Sequence, residues 1–567
     1  MCLSAMLIVL FTLSGCVDSL LRERADLRAL PTIQPSDTIR TGDYRSPEDI
    51  PVTLYLPDWN RDRLVTAADT VTVYAGADIT EAVAIRLLDR LGQMFPSLKG
   101  SQLSLMSGTG SVERSGGIVF VNLNSTMWLL EPSEKSVARM ALTYTLTELP
   151  GVNYVGILVN GRDDAIDAGG SVPYGLHKRS ISEDIETYLN GLETSLAAET
   201  NGLTRDVALY FASTDGLRIL PETRGVTIPS GPRDELRERL VKVLLTELSK
   251  GSLIRQTQTR SLLNPDYMVG EPRIVTPTGS ADTLLQLSFR SELYDYLTIN
   301  GGTPYLFFAS LTETLTGFVP GLDGLIAQVG GETVTEIRAP DDRTLHLRNG
   351  RMTRADFAGS VADLGLLYFP REDGTGLTAI ERAIEQNLAD DPRTLLKLLL
   401  AGPRRYDPDA KLLPALPASD GTPSAFADAD LLGVSIESGE ALVNLSEDIA
   451  SACAELTAAQ ARGFIFSVVN TLTGLRGVNK VRFFVEGQAR DLFYQSESGS
   501  AADARPADLS GGMDAGVSSL GEFYRQPGLI VTEFGNIDEV DAPETATPAD
   551  AVPDGTDAHD AAVIDEV

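Results

Sequence analysis

Apolar residues along this chain follow a strand-like spacing and then a helix-like spacing, and this succession occurs three times. Short apolar runs predict an opening strand in each stretch, at residues 52–56, 207–211 and 365–369. Amphipathic spacing then predicts a first helix, at residues 79–95, 234–248 and 393–400. Apolar segments with a Gly- or Ser-bearing turn at their middle predict a hairpin, at residues 103–123, 273–289 and 432–445.

One short phrase closes each of the three stretches. It reads Thr-Leu-Thr, begins at Thr145, Thr314 and Thr471, and ends a second helical segment that is clearest at residues 458–472. A predicted strand follows each phrase, at residues 154–159, 325–329 and 481–485, and a glycine follows each strand, at Gly161, Gly330 and Gly487. We attribute the phrase to folding, because each Thr can bond back to a helix carbonyl. The glycine after it, as at Gly317 and Gly474, suits a left-handed helix end.

The period of this repeat is that of a domain. The tyrosines of the three opening strands, Tyr55, Tyr210 and Tyr368, lie 155 and 158 residues apart, which is longer than the repeats of solenoid proteins. We predict an α+β fold of three tandem two-layer modules, each with a short, mostly antiparallel sheet and two helices. Strand edges are expected to be exposed in modules of this kind.

The division of the chain follows from these positions. Residues 1–15 are predicted to be a signal peptide and 16–50 a tether; the modules are 51–162, 204–338 and 363–488, with linkers at 163–203 and 339–362. Residues 489–567 are predicted to be an acidic, mostly disordered tail, because residues 501–567 contain fifteen Asp or Glu and two Arg. Only residues 524–534 have enough apolar side chains to dock on the folded part.

The formal net charge of −32 limits the classes of partner. Nucleic-acid binding needs clustered Lys and Arg against the phosphates, and a peripheral hold on anionic lipid needs a basic patch. We therefore expect no nucleic acid among the partners.

The N-terminus carries an export signal. Residues 6–13 form an apolar run that is shorter than the roughly 20 residues of a membrane-spanning helix. The following residues, Leu13 to Cys16, resemble a bacterial lipobox, in which cleavage precedes the cysteine and its sulfur receives diacylglycerol. We predict lipidation of Cys16 and a location on the extracytoplasmic face of the membrane. An ordinary cleaved signal or a short anchor is the alternative, since no Lys or Arg precedes the run.

Residues that carry out catalysis or bind metals are sparse. No second His or Cys stands at ligand spacing from His177, His346 or His559, so no metal or cofactor site is expected. His177 is interpreted as a solvated loop residue, with a general base as the alternative. Cys453 lies among alanines and is interpreted as a small buried hydrophobe rather than a nucleophile.

Two further patterns resemble ligand-binding loops but lack their geometry. The glycines of residues 107–117 are not followed by Gly-Lys-Ser/Thr or by a helix, so a hairpin turn is favoured over a phosphate loop. The acidic segments 163–167 and 428–430 lack the spacing and the glycine of an EF-hand loop, so we interpret them as solvated acidic loops. We predict no catalytic residue.

The third stretch resembles a GerMN domain. The residues that carry the resemblance are 466–487, with an opening at 367–369, a Leu-rich run ending at Pro403, and 441–446. The first stretch matches through 54–56 and 152–155, and the second through 209–211 and 220–224. The resemblance implies an extracytoplasmic lipoprotein built of small α+β modules similar to ring-building motifs, without established catalysis.

The implied role is non-enzymatic assembly in sporulation, germination or other cell-envelope processes. The expected partners are envelope or spore-assembly proteins, with peptidoglycan as a further partner and the membrane held through the lipid anchor. Three alternatives stay open at this point. They are a peptidoglycan-associated enzyme or regulator of a wall hydrolase, a solute-binding lipoprotein, and a partner of a sensor kinase.

Overall fold

The same order of elements occurs three times along the chain. The fold was obtained as a computed structural model, which describes residues 42–45, 47–74, 78–107, 111–166, 170–179, 202–256, 258–386, 388–405, 407, 411–418, 420–493, 518–532 and 535–536. The signal peptide, most of the tether including Cys16, and His559 lie outside the described residues. No helix among the described residues is long and apolar enough to cross a membrane.

We call the three stretches units 1, 2 and 3. Unit 1 follows strand β1 (Tyr44–Arg45) and contains β2 (Glu48–Pro57), β3 (Leu64–Val73), α1 (Ile79–Met94), β4 (Val112–Ser115), β5 (Ile118–Leu123), α2 (Pro132–Leu146), β6 (Tyr154–Val159) and β7 (Arg162–Asp163).

Unit 2 contains β8 (Leu203–Ser213), β9 (Ile219–Ile228), α3 (Leu236–Ser249), β10 (Thr259–Arg260), β11 (Arg273–Val275), β12 (Leu284–Phe289), α4 (Leu293–Ile299), α5 (Pro304–Phe318), β13 (Gly324–Val329), β14 (Glu332–Thr333), β15 (Glu336–Arg338), β16 (Thr344–His346) and β17 (Arg351–Met352).

Unit 3 contains β18 (Ala362–Pro370), β19 (Leu377–Glu385), α6 (Pro392–Leu400), β20 (Leu431–Glu437), β21 (Glu440–Leu445), α7 (Glu447–Ala454), α8 (Ala458–Leu472), β22 (Lys480–Val485) and β23 (Phe523–Tyr524). The short strands β24 (Val531–Thr532) and β25 (Gly535–Asn536) follow it.

Local sequence fixes where the helices begin. Asp78, Thr303 and Asp391 cap α1, α5 and α6, and each side chain accepts a hydrogen bond from a backbone N–H of the first turn. Thr457 and Gln460 form a capping box at α8. Proline occupies the first position of α2, α5 and α6, where its missing N–H costs no helical hydrogen bond.

Each unit contains an opening hairpin and a separate second sheet, and unit 2 adds the small sheet β15–β16. The opening hairpins β2–β3, β8–β9 and β18–β19 are antiparallel along their whole length. The second sheets have the orders β4-β5-β6-β7, β11-β12-β13-β14 and β20-β21-β22-β23. The second long helix of each unit, α2, α5 or α8, packs between the opening hairpin and the closing strand of the second sheet.

The α+β class and the mostly antiparallel pairing are confirmed, and one pairing of each second sheet, the central one, is parallel. Strand β5 pairs in parallel with β6, β12 with β13, and β21 with β22. The reason is that a helix connects the two strands of each pair, and a chain that crosses over through a helix returns in the same direction. In the described part of the chain, units 2 and 3 have three helices instead of two, because short α4 and α7 precede the long helix.

Units 1 and 2 share apolar packing. The sheet of unit 1 contributes Ile118, Phe120 and Leu158 to the core of unit 2. The Phe120 ring lies 6.3 Å from the ring of Tyr210 and 6.1 Å from that of Phe318. Buried apolar side chains therefore form the contact between units 1 and 2.

Unit 3 has its own core, and its contacts with unit 2 include ion pairs. Arg218 lies 2.9 Å from Glu385, and Arg404 lies 3.1 Å from Asp215. The junction between units 2 and 3 therefore contains more solvent-accessible polar contacts than the junction between units 1 and 2.

Both ends of the described chain lie on unit 3. Strand β1 pairs in parallel with β20, with Tyr44 opposite Ser435, and β23 pairs with β22. Ile530, within the segment predicted to dock, is buried against the core of unit 3. These segments cover both edges of a sheet whose edges were expected to be exposed.

Candidate interaction site

The first threonine of each repeated phrase joins the second long helix to the opening hairpin. Its Oγ1 accepts a hydrogen bond from the backbone N–H of the opening tyrosine: Thr145 from Tyr55 at 2.9 Å, Thr314 from Tyr210 at 3.1 Å, and Thr471 from Tyr368 at 3.2 Å. All six residues are buried. A buried N–H needs a partner, so this contact explains why the threonine recurs.

The second threonine makes the predicted bond back to its own helix. The Oγ1 atom donates to the carbonyl four residues earlier, at 2.7 Å from Thr147, 2.6 Å from Thr316 and 2.7 Å from Thr473. The predicted left-handed glycine is wrong, because neither Gly317 nor Gly474 has a positive φ. The left-handed glycines lie further on, where the chain turns towards the closing strand; they are Gly151 (φ 77°), Gly321 (φ 67°) and Gly477 (φ 76°).

A returning segment flanks each closing strand, and the sequence analysis did not predict it. The antiparallel pairs are His177 with Val155 on β6, Met352 with Leu325 on β13, and Phe523 with Val481 on β22. Two residues further on, each segment carries an arginine. We call these segments the straps; they are residues 177–179, 352–354 and 523–525.

The strap arginine of each unit reaches the tyrosine of the opening strand. The guanidinium of Arg179 lies 4.7 Å from the ring centre of Tyr55 and also bonds its hydroxyl. Arg525 donates a hydrogen bond to the Tyr368 hydroxyl at 2.6 Å. Burial raises the pKa of Tyr210, and the nearby Arg354 opposes that rise. Units 1 and 3 thus each have a Thr–Tyr–Arg anchor that fixes hairpin, helix and strap together, whereas unit 2 keeps the Thr–Tyr contact and leaves the Tyr210 hydroxyl without a hydrogen-bond partner among the described residues.

Arg354 also joins unit 2 to unit 1. Its Nη2 lies 2.9 Å from Glu113 on β4 and 2.6 Å from Glu313 on α5, and all three side chains are buried. Burial raises the pKa of Glu313 to about 8. A buried arginine between two carboxylates is strongly sensitive to the loss of one partner, so this group holds the two units in register.

The interpretation of His177 as a solvated loop residue is wrong. Only 4% of the residue is exposed, and its ring centre lies 5.6 Å from that of Tyr174. Burial, together with the charges of Arg139 and Arg205, lowers the pKa of His177 to about 3. The imidazole is therefore neutral at physiological pH and closed to a substrate.

The interpretation of residues 163–167 as a solvated acidic loop is wrong for Asp163. Its carboxyl is buried, and burial raises its pKa well above the usual value. The neighbouring Asp164 pairs with buried Arg139 at 3.4 Å. Asp167 lies outside the described residues.

The other residues singled out from the sequence take part in core packing, an ion pair or a turn. Cys453 is fully buried, as predicted, and burial raises the pKa of its thiol. His346 is exposed on β16, 3.1 Å from Glu336. Gly116 and Gly117 form the predicted hairpin turn between β4 and β5. Among the described residues no group of three or more His, Cys, Asp or Glu side chains, residues 428–430 included, could hold a metal ion.

Two clefts beside the described residues are small. One of about 210 Å³ lies at the start of α3, between Leu203 and Arg239, and one of about 40 Å³ lies between Asp215 and Arg404 of units 2 and 3. Sites for small molecules usually enclose about 300–1,000 Å³. These two clefts do not have the dimensions of an enzyme's substrate site.

Both tryptophans of unit 1 are exposed to solvent. Trp59, in the turn between β2 and β3, is 98% exposed, the highest value for a large apolar side chain in the described part of the chain. In the same turn, Arg61 donates a hydrogen bond to the carbonyl of Met94 at 3.0 Å and lies 3.5 Å from Glu134, so the turn lies over the start of α2.

The second tryptophan of the chain lies near the start of α2 too. Trp128 is 38% exposed and Leu129 is 56% exposed, in a 3-10 helix just before α2. Both tryptophans of the chain therefore face solvent near the start of α2. Exposed clusters of large apolar side chains are typical of interaction surfaces, which makes this end of unit 1 the candidate site.

Two segments of the chain, residues 53–165 and 366–491, match one family model, described as Germane: sporulation and spore germination. Each of the two segments is similar to a Germane domain. They correspond to units 1 and 3, and the resemblance stated from the sequence is confirmed for both. The Germane match associates the chain with sporulation and spore germination.

Two solved structures are similar to the chain. The tandem GerMN domains of the sporulation protein GerM from Bacillus subtilis are 17% identical, over 50% of this chain and 92% of that chain, with a TM-score of 0.19. The first GerMN domain of the same protein is 17% identical, over 24% of this chain and 97% of that chain, with a TM-score of 0.16. No curated protein matches the chain.

Proposed function

We propose that this chain is a membrane-anchored extracytoplasmic lipoprotein that acts as a non-catalytic protein-interaction module in sporulation, germination or other envelope processes. The observation that supports this proposal is the pair of Germane segments, whose family description names sporulation and spore germination. The proposed partners are envelope or spore-assembly proteins, with peptidoglycan as a further partner and no nucleic acid.

We also infer that unit 2 is a third, divergent copy of the module. It has the main element order of the other two units, the same contact of a helix threonine with the opening strand, made by Thr314 and Tyr210, and a strap that pairs with its closing strand. The proposed modules are those predicted, 51–162, 204–338 and 363–488. We extend each of them to include its strap, because the strap completes the second sheet.

The buried position of the repeated residues favours interaction over catalysis. The Thr–Tyr–Arg anchors of units 1 and 3 bond within their units and present no reactive group in a cleft, whereas the end of unit 1 presents exposed apolar side chains. An envelope enzyme or a regulator of a wall hydrolase is the second candidate. It would need convergent polar groups in a substrate-sized cleft.

The proposed anchor is a diacylglycerol on Cys16, which carries two acyl chains and so suffices for stable attachment. The 25 residues between Cys16 and Gly42 could span up to roughly 90 Å when extended. That reach would let the folded units contact proteins well above the membrane surface.

The test is a crosslinking pull-down from membranes with the full chain tagged after Val567. We expect spore-envelope or division proteins to be recovered, and a Cys16→Ala chain to lose both the membrane and these partners. Recovery of peptidoglycan fragments alone would contradict an assembly role and favour the wall enzyme.

A further inference from the structure

Strand β4 of unit 1 contacts both of the other units. Its Glu113 lies 2.9 Å from Arg354, in the strap of unit 2. Two residues further on, the hydroxyl of Ser115 donates a hydrogen bond to the carbonyl of Ala362, at the start of unit 3. One short strand therefore holds unit 1 against its two neighbours, and the contacts of Glu113 lie close to the place where the three units meet.

The buried group around Arg354 contains two acids and one cation. Glu113 of unit 1 and Glu313 on α5 of unit 2 both contact Nη2 of Arg354, at 2.9 Å and 2.6 Å. Glu313 is 0% exposed, and Glu113 is 7% exposed. Oε1 of Glu313 has no hydrogen-bond partner among the described residues. Two carboxyl groups therefore depend on one guanidinium.

The other groups that face Glu313 supply no second positive charge. Tyr210 on β8 and Tyr305, earlier on α5, are neutral phenols, and burial raises the pKa of both. Among the residues between 46 and 493 that the structure leaves undescribed, none is Lys, Arg or His. Charged side chains on the other elements that contact α5 face other groups; they include Asp163 on β7, Arg224 on β9, Arg237 on α3, and Glu336 and Arg338 on β15.

Charge balance requires one of the two acids to keep a proton. If both were ionised, the buried group would carry an excess negative charge, and the burial of an unpaired charge is costly. Two carboxyl groups that share a site do not both ionise in their ordinary range. Glu313, the more deeply buried of the two, is the acid that keeps the proton. Burial raises its pKa to about 8, with Arg354 opposing this rise and Glu113 adding to it.

Unit 1 covers this group and also contributes an acid to it. The ring centre of Phe120 lies 5.2 Å from the guanidinium carbon of Arg354 and 6.3 Å from the ring centre of Tyr210. Separation of unit 1 from unit 2 would remove both Phe120 and Glu113. Glu313 would then be hydrated and would ionise near the ordinary value of 4.5.

We propose that a proton on Glu313 controls the contact between units 1 and 2. The protonated carboxyl leaves Arg354 to Glu113 and keeps the two units closed. When its O–H gives the proton to water, the excess negative charge loosens the contact, and no other covalent bond changes in this step. The side chains of Phe120 and Phe318, which meet across the contact, become accessible in the loosened state. This inference goes beyond the proposed role in assembly and does not depend on it.

Acid strengthens this contact and alkali weakens it. The closed units retain the proton up to about pH 8, whereas the separated units lose it above about pH 4.5. Between these values separation releases one proton, so each unit of pH increase lowers the ratio of closed to separated chain about tenfold. The ratio levels off above about pH 8, where Glu313 is ionised in both states.

The first experiment follows the unfolding of unit 1 in the full chain carrying Cys16→Ala. Both tryptophans of the chain, Trp59 and Trp128, lie in unit 1, so their fluorescence in urea reports on that unit. Measurements from about pH 6.5 to about pH 9 avoid the titration of His177. Glu313→Gln has a neutral side chain of the same shape throughout. Relative to this variant, we expect the folded-to-unfolded ratio of the unaltered chain to fall about tenfold per pH unit up to about pH 8.

Two further variants show whether the buried pair of acids causes this dependence. Glu332→Gln, which removes an exposed carboxylate on β14, is the matched control and should keep the pH profile of the unaltered chain. Glu113→Gln removes the second acid from Arg354, so Glu313 should ionise more readily and the fall should end at a lower pH. A pH profile that Glu113→Gln does not move would contradict the proposal.

Infrared spectra test the proton directly and need no variant. We expect the C=O stretch of a protonated carboxylic acid in the unaltered chain at about pH 6.5, and a loss of intensity by about pH 9. No such loss, or parallel unfolding profiles for Glu313→Gln and the unaltered chain, would overturn the proposal. If Glu313→Gln does not fold, the infrared result decides. A negative result leaves the membrane pull-down unaffected, so this inference and the proposed function fail separately.

Discussion

At the scale of single residues, the Thr–Tyr contact is the most directly testable feature of the repeat. Thr471→Val keeps the shape of the side chain but leaves the buried N–H of Tyr368 without its acceptor. An unpaired buried donor costs about 1–3 kcal/mol. We expect unit 3 to unfold at lower urea concentration and the Tyr368 amide to exchange its hydrogen faster.

The matched control for this variant is Thr473→Val, which removes a hydroxyl that only bonds back to its own helix and is partly exposed. We expect a smaller loss of stability from it. Equal losses of unfolding free energy from the two variants, measured by urea unfolding, would mean that the hydrogen bond to the hairpin contributes no more to stability than the bond within the helix.

His177 gives a second prediction at this scale, on pH dependence. Its pKa is lower in the folded chain, about 3, than the roughly 6.5 of an unfolded histidine. The unfolded chain therefore binds a proton between these values while the folded chain does not. Stability is complete above about pH 6.5 and falls by about 1.4 kcal/mol per pH unit on acidification through that window.

A His177→Met chain checks this expectation, since methionine occupies the equivalent strap position at Met352. We expect its denaturation midpoint to depend less on pH between 6 and 4 than that of the unaltered chain. The exposed His346→Gln serves as control. Parallel pH profiles for His177→Met and the unaltered chain would show that His177 does not cause the dependence.

At the scale of elements, the straps give a prediction about local stability. Breaking the contacts of a strap arginine should destabilise the strap and the strand with which it pairs, and little else. Arg525→Ala removes the bonds to the Tyr368 hydroxyl and to the carbonyl of Asn470. We expect faster hydrogen exchange in the strap of unit 3 and in β22, measured by mass spectrometry. Arg490→Ala, which removes an exposed pair with Glu447, should leave both segments unchanged.

The sequence predicted the helices and opening strands but not the straps. Periodicity within a short window was enough to place α8 at its observed bounds, and the opening strands were found from their apolar runs. It could not reveal that Phe523 pairs with Val481, because 42 residues separate them and only the arginine that follows is common to the straps. The parallel pairing of β21 with β22 was missed because direction depends on the whole connection through α8.

The candidate site was missed for a different reason. Trp59 follows the opening strand in a polar stretch of sequence, and such a pattern does not say whether a side chain is covered. Asp163 and His177 were assigned to solvent because their segment is polar, whereas packing of unit 1 against unit 2 buries both. Burial between units depends on contacts that are distant in sequence.

At the scale of the whole molecule, the contrast between the two junctions can be measured. Arg354→Met leaves Glu113 and Glu313 buried without their cation, and the loss of one partner from such a group costs about 3–5 kcal/mol. Arg218→Met breaks a partly exposed pair with Glu385, where the expected cost is about 0–1 kcal/mol. Calorimetry should show a lower melting temperature for Arg354→Met and almost none of that change for Arg218→Met. Equal shifts would contradict the distinction between the junctions.

The position of β1 on unit 3 has a consequence for the order of events during synthesis and export. Tyr44 emerges early, but its partner Ser435 follows 391 residues later. Until Ser435 has been synthesised, β1 lacks its pairing partner, and units 1 and 2 can fold before β1 joins a sheet. Contacts across such a span form slowly, so the pairing of β1 with β20 is expected to be a late step that requires unit 3 to have been synthesised as far as β20.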